Sequence, residues 1–325
     1  MTKLIVAAAF GALLAIGLSA GSGISGIADA LGDLSWLGLV WLCVLQVLSL
    51  LLCAAAWWVI ADGASFSACV TARWGRDGAS NLVSIIPGVG ELAGARALRL
   101  FGAGASAAAA STVVDVSTES LSQAIYTLIG IVPLLGFVEG GETTHWLATL
   151  AVAVVPVLAV YAVTRHRGAL RLVENIIVSV AGLVGLAEAV SELDVAKNVH
   201  RLYADNRRVS LAVLIHLAAW FMGAVQVWAA AQAMSIELAP GAALALESLV
   251  YAARGAFFMV PLGAGIQEAS FILVGTIVGI SPAAAIALSF ALRARDVLLG
   301  APAVLLWSAV EGRRTWLTAI TAGRK

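Results

Sequence analysis

"VPLGAGIQEASFILVG", from Val260 to Gly275, sets Pro261, Gly263 and Gly265 inside an apolar run and places Glu268 just past the break. In a chain surrounded by water such a stretch would be a loop. The composition around it excludes that setting. Hydrophobic residues make up 61% of the 325 positions and charged residues only 12%, whereas soluble domains carry about 25% charge. Several apolar stretches exceed the roughly 18 residues needed to cross a bilayer. The expected fold is all-α, a polytopic integral membrane helix bundle, with the Pro/Gly break held inside it.

That placement constrains the break. Backbone freed by Pro and Gly cannot face lipid, because unpaired N–H and C=O groups cost several kcal/mol each there. It must be covered by protein or line a polar cavity, into which half-helix ends direct partial charges. The chain holds a second stretch of the same kind, "IIPGVGELAGARALRLFG" (85–102), with Pro87, Gly90 and Glu91. A shift of 177 residues lays Glu91 on Glu268, Gly102 on Gly279 and Glu119 on Asp296. It also brings "ASAAAAS" (105–111) close to "PAAAIAL" (282–288). No gap is needed after the glutamate, although Pro87 precedes Glu91 by 4 residues and Pro261 precedes Glu268 by 7. The two stretches read as an internal repeat.

Charge distribution assigns them sides. Residues 4–20, 36–60, 146–164 and 209–233 are long enough to span, as are the runs near 105–137 and 281–310. "LVSIIPGVG" (82–90) is too short. So is "NIIVSVAGLVGLAEAV" (175–190), whose neighbourhood repeats apolar residues at helical spacing (Leu172, Ile176, Val180, Leu183, Val184, Ala187) and reads as a helix on the membrane surface. With the amino terminus inside, the inner segments are 61–104, 165–208 and the tail after 310. Together with Lys3 they hold all but three of the 19 Lys and Arg, and the outer loops 21–35, 138–145 and 234–241 hold none. This bias fixes orientation. The first break then leaves and returns on the inner side, the second on the outer side. Inverted repeats with broken helices are a common plan of secondary transporters.

The expected division is therefore a first transmembrane half over 1–164, broken at 82–100, and a cytoplasmic amphipathic connector over 165–208. A second half covers 209–325, broken at 242–279. About six full spans and two broken or re-entrant segments (6–8 crossings) put both termini in the cytoplasm. The stretch after Lys3 is either a signal peptide or a retained first helix, and the later topology is the same for both.

The three remaining arginines, Arg254, Arg293 and Arg295, lie at membrane depth with Glu247, Glu268 and Asp296; the first half matches them with Glu91, Arg96, Asp115 and Glu119. Asp115 and Glu119 are four apart and share a helical face, Glu247 and Arg254 are seven apart, and Arg293 can pair locally with Asp296. Intramembrane charges are expensive and mark substrate paths more often than packing pairs. Other signals carry less. "GLSAG" (17–21) and "GSGISG" (21–26) match nucleophile-elbow and dinucleotide patterns without the strand contexts those need. Cys43, Cys53 and Cys69, and the scattered histidines, lack metal-ligand spacing, so no metal, cofactor or catalytic residue is expected. Zero net charge gives no reason to expect nucleic acid.

"PGVGELAGARALRLFG", with Pro87, Gly90, Glu91 and Arg96, resembles the lysylphosphatidylglycerol synthase transmembrane-region (flippase-like) family, and the chain is most similar to its hopanoid-biosynthesis-associated subgroup. The family's second-half element Pro-Gly-Gly-x-Gly-x-x-Glu stands here as Pro261, Leu262, Gly263, Ala264, Gly265, Ile266, Gln267, Glu268. Leu262 replaces a glycine, and "VVDVSTES" (113–120) stands where the family often has Glu-Arg. The resemblance implies a lipid translocator of the bacterial inner membrane. Its substrate would be a hopanoid or another long-chain lipid, and its partners lipid-biosynthesis or export proteins. Two rivals remain: an integral-membrane transferase acting on a lipid headgroup, and a proton-coupled small-solute carrier using Glu91 and Glu268.

Overall fold

The computed structural model describes residues 29, 31–83, 88–134, 136–137, 195–257, 260, 263 and 265–322, with side chains to residue 310. The expected spans 4–20 and 146–164, the surface helix at 172–190, Pro87 and Pro261 lie outside the described residues. In chain order the helices are α1 (Trp36–Ile60), α2 (Phe66–Leu82), α3 (Val89–Leu100), α4 (Ala105–Leu134) and α5 (Val195–Ala204). They continue with α6 (Asn206–Ala233), α7 (Pro240–Ala256), α8 (Ile266–Ile277) and α9 (Pro282–Ala322). No strand occurs among the described residues.

Among the described residues, only α1 and α6 are both long and apolar enough to cross a membrane by length and composition. α4 and α9 have the length, 30 and 41 residues. Their apolar runs are interrupted by charges, Asp115 and Glu119 in α4 and Arg293, Arg295 and Asp296 in α9. Hydropathy alone does not register that these charges are matched, Asp115, Glu119 and Arg293 by neighbouring helices and Asp296 by Arg295.

The two runs α1–α4 and α6–α9 are alike in detail. α2 and α7 each have 17 residues, and α3 and α8 each have 12. α3 and α4 begin 177 residues before α8 and α9, and the break between α2 and α3 is three residues shorter than the one between α7 and α8. Both short helices start from a glycine in the left-handed region, Gly88 (φ 87°) and Gly265 (φ 78°), which an L side chain adopts only at a cost. Both end in a Schellman closure. Ala103 N–H donates to Leu98 O and Gly102 N–H to Arg99 O; Ile280 N–H donates to Gly275 O and Gly279 N–H to Thr276 O. The bonded residues correspond one to one under the 177-residue shift.

Packing follows the same exchange. α2 lies on α9 as α7 lies on α4, and α1 packs on α6. α1 and α6 run antiparallel. Asp62, after the end of α1, pairs with Arg208 at the start of α6 at 2.5 Å. Midway, Ser49 Oγ–H donates to Ala219 O at 3.4 Å. At the far end a Cβ on Gly38 would come within 2.9 Å of Ala233. Small residues allow the other close approaches: Gly78 of α2 meets Gly300 and Ala303 of α9, and Gly94 of α3 seats the Trp57 ring.

The helix α5 closes the connector end. Its apolar face, Val195, Val199, Leu202 and Tyr203, is buried and packs with Ala110 and Val114 of α4. The Tyr203 hydroxyl bonds Ser117 of α4.

Candidate functional site

α2 was expected only as part of a charged inner segment, 61–104. Instead it carries Arg73, Arg76 and Asp77 into the interior, on one face by their three- and four-residue spacing. Arg73 and Arg76 are each 7% exposed, and they meet Asp115 (0% exposed) and Glu119 of α4. Arg73 donates Nη2–H to Glu119 Oε1 at 2.6 Å and Nη1–H to Oε2 at 3.1 Å, a bidentate fork. Its Nε lies 2.9 Å from Asp77. Arg76 bridges Asp115 (2.8 Å) and Glu119 (2.7 Å). His216 of α6 completes the cluster, with Nε2 at 3.0 Å from Asp115 Oδ1. Asp115 and Glu119 do share a helical face, and that face is turned to two guanidinium groups rather than to lipid.

A second, smaller cluster belongs to the other run. Glu268 (1% exposed) accepts from the N–H of Gly265, its own helix start, at 2.8 Å. Arg293 Nε–H donates to it at 2.6 Å. Gln267 is held by Ser289 of α9 at 2.9 Å. The local pair Arg293–Asp296 does not form, because Arg293 is turned to Glu268 and Asp296 is taken by Arg295 at 2.8 Å.

Between the two runs lies a polar cavity of 130 Å³ lined from α1, α2, α4, α6, α7 and α9. Its polar lining includes Gln46, Arg73, Asp77 and Glu119 from the first run and Glu247 and Arg295 from the second. Arg295 also reaches Gln226 of α6. Glu247 is 2% exposed, faces this cavity and an adjoining small void, and receives no hydrogen bond from the described residues. Trp220 and Tyr251 pack edge to face beside it, ring centroids 4.9 Å apart.

The expected site residues therefore separate. Glu119 and Glu247 line the cavity, and Asp115 stands behind Arg76. Arg254 and Asp296 line the adjoining void, where Arg254 lies 5.1 Å over the Tyr251 ring. Glu91 sits at the rim of the first cluster, 3.5 Å from Arg76, and Arg96 is half-buried on α3 away from the cavity lining. Gly90 packs α3 onto α2, where a Cβ would come within 2.7 Å of the Arg76 carbonyl. Gly263 and Gly265 supply left-handed backbone.

Among the described residues of the two breaks, Gly88, Val89 and Gly90 and then Val260, Gly263 and Gly265, none lines this cavity; the rest of "IPGVG" and "VPLGAG" lies outside the described residues. Glu268 is drawn back onto its own helix start, and Glu91 to Arg76. Sequence reasoning passed over Arg73, Arg76, Asp77 and His216. The helical spacing of the first three and a lone histidine inside an apolar span were the available signals. One further grouping stands beside the cavity, Cys53, Glu119 and His216, whose donor atoms all lie within 4.8 Å of one another.

No curated protein and no solved structure matches the chain significantly. A family model described as the lysylphosphatidylglycerol synthase TM region matches residues 2–303. The match takes in the first helix run, the second as far as residue 303 in α9, both breaks and the residues that line the cavity. The chain is a membrane protein and belongs to the lysylphosphatidylglycerol synthase TM region family.

Proposed function

We propose that the protein moves a lipid across the bacterial cytoplasmic membrane, with the headgroup passing through the cavity between the two runs. The lipid is a hopanoid or another long-chain species. The observation that carries this reading is the cavity itself: polar, lined by helices from both runs, and faced by the buried Glu247 carboxylate, which receives no hydrogen bond from the described residues. Membership of a membrane family named for a lipid synthase supports a lipid-related role. An apolar groove of 350 Å³ between α2, α3 and α9, walled by Trp74, Leu100, Phe101 and Trp307, is suited to a tail that stays in the bilayer. In this reading the two runs are inverted repeats crossing the membrane six to eight times. Exchange of their alternative packings would open the cavity first to one leaflet and then to the other.

Deletion of the protein tests this. The lipid should still be made but should change its distribution between leaflets or membranes, measured by leaflet-selective labelling and lipid mass spectrometry. Unchanged distribution together with a missing modified lipid would reject transport and support a headgroup transferase. Within the protein, Gly223→Val directs a side chain at the Glu247 carboxylate, which lies 2.9 Å from the Cβ position. It should reduce lipid movement in proteoliposomes at least tenfold while the protein still folds. Full activity in that variant would separate transport from this cavity.

A further inference from the structure

The geometry points to a transition-metal site formed by Cys53 of α1, Glu119 of α4 and His216 of α6. His216 is 0% exposed. Its Nε2 is occupied by Asp115 at 3.0 Å, and its Nδ1 has no hydrogen-bond partner. With the proton on Nε2, donated to Asp115, the lone pair rests on Nδ1. A buried acceptor left without a partner is unfavourable. A carboxylate holding one imidazole nitrogen so that the other is free to ligate is the usual outer shell of a metal-bound histidine.

The other donors stand at hand. Cys53 is a buried free thiol, and its sulfur, a Glu119 oxygen and a His216 ring nitrogen all lie within 4.8 Å of one another. Zinc binds nitrogen at about 2.0–2.1 Å and thiolate sulfur at about 2.3 Å, so donors on one tetrahedral ion stand roughly 3.5 Å apart. Side-chain rotations of about 1 Å close the set. Cys53 and Glu119 also line the polar cavity, from which a water would supply the fourth ligand. Arg73 and Arg76 fix the Glu119 carboxylate in place, donating to both of its oxygens.

Sulfur, imidazole and carboxylate together select a borderline-soft ion such as Zn²⁺ over Mg²⁺ or Ca²⁺. Held by three helices from both runs, the ion would tie α1 and α6 to α4.

The test uses the full chain purified in detergent, equilibrated with Zn²⁺ or Co²⁺ and desalted. One metal per chain should remain by elemental mass spectrometry. The Co²⁺ form should show thiolate-to-metal charge-transfer absorption in the near ultraviolet. Cys53→Ser should abolish that band and His216→Ala should lower metal affinity at least a hundredfold, while Cys43→Ser keeps both. Because the wild-type spectrum is itself a readout, misfolding of a variant does not remove the test. Substoichiometric metal in the wild type, or a charge-transfer band that survives Cys53→Ser, overturns the inference. So does a lipid acyl adduct on Cys53 in place of metal, which would make this thiol a nucleophile. Metal content is read without lipid movement, so the inference stands or falls apart from the transport proposal.

Discussion

Glu91 and Glu268 hold the same place in the two runs and differ in what surrounds them. Glu268 is buried and satisfied twice over, by the Gly265 N–H and by Arg293. Glu91 has a side chain 36% exposed and a single contact with Arg76 at 3.5 Å. Removing one member of a fully buried charge pair costs about 3–5 kcal/mol because the other charge is stranded, and exposed pairs contribute about 0–1 kcal/mol; Glu268–Arg293 lies between these, with Glu268 buried and the Arg293 side chain 28% exposed. Glu268→Gln should therefore lower the thermal unfolding midpoint in detergent strongly, and adding Arg293→Met should recover much of the loss. Glu91→Gln should shift it little. Equal losses from the two single variants would contradict the burial difference. The sequence shows both glutamates, because the 177-residue shift aligns them. It does not show their partners, because Arg293 lies across on α9 and Arg76 on α2, and only tertiary packing selects Arg293–Glu268 over the nearer Arg293–Asp296.

At the scale of the element, the ends of α3 and α8 are the features most visible beforehand. Gly102 and Gly279 already aligned, and both adopt left-handed backbone, φ 94° and 89°. Neither has an atom within 4 Å of a built Cβ, so Gly102→Ala and Gly279→Ala carry only the backbone penalty of about 1–2 kcal/mol. The two losses, measured by chemical or thermal unfolding, should agree within about 0.5 kcal/mol. Gly94→Leu is a different case, since even a Cβ there comes within 2.8 Å of the Trp57 ring. It should cost more than either alanine, by overpacking. A Gly94→Leu variant as stable as Gly102→Ala would mean that α3 does not seat against α1 as described. α2 was the element hidden from hydropathy. Its Arg73, Arg76 and Asp77 read as loop charges until Asp115 and Glu119 are placed opposite them, and no local pattern supplies that placement.

Across the whole molecule, the antiparallel pairing of α1 with α6 makes the inverted-repeat reading testable without any transport assay. Asp33 precedes α1, Ala204 precedes α6, and Glu237 follows α6; all three are exposed. The Asp62–Arg208 contact puts the end of α1 beside the start of α6, so Asp33 and Glu237 must share one side and Ala204 must lie on the other. In the proposed orientation, which rests on the lysines and arginines of 165–208, Ala204 faces the cytoplasm. Single cysteines are introduced at these positions; the three native ones are buried or half-buried and give a low background. An impermeant maleimide applied to intact cells should label Asp33→Cys and Glu237→Cys, and should reach Ala204→Cys only after permeabilisation. Among the described residues, α1 and α6 are the two helices with enough uninterrupted apolar length to cross, so this experiment bears on the crossings that fix the handedness of both runs. Labelling of Asp33→Cys and Ala204→Cys from the same side would remove the inversion, and with it the argument that the cavity opens alternately to the two leaflets.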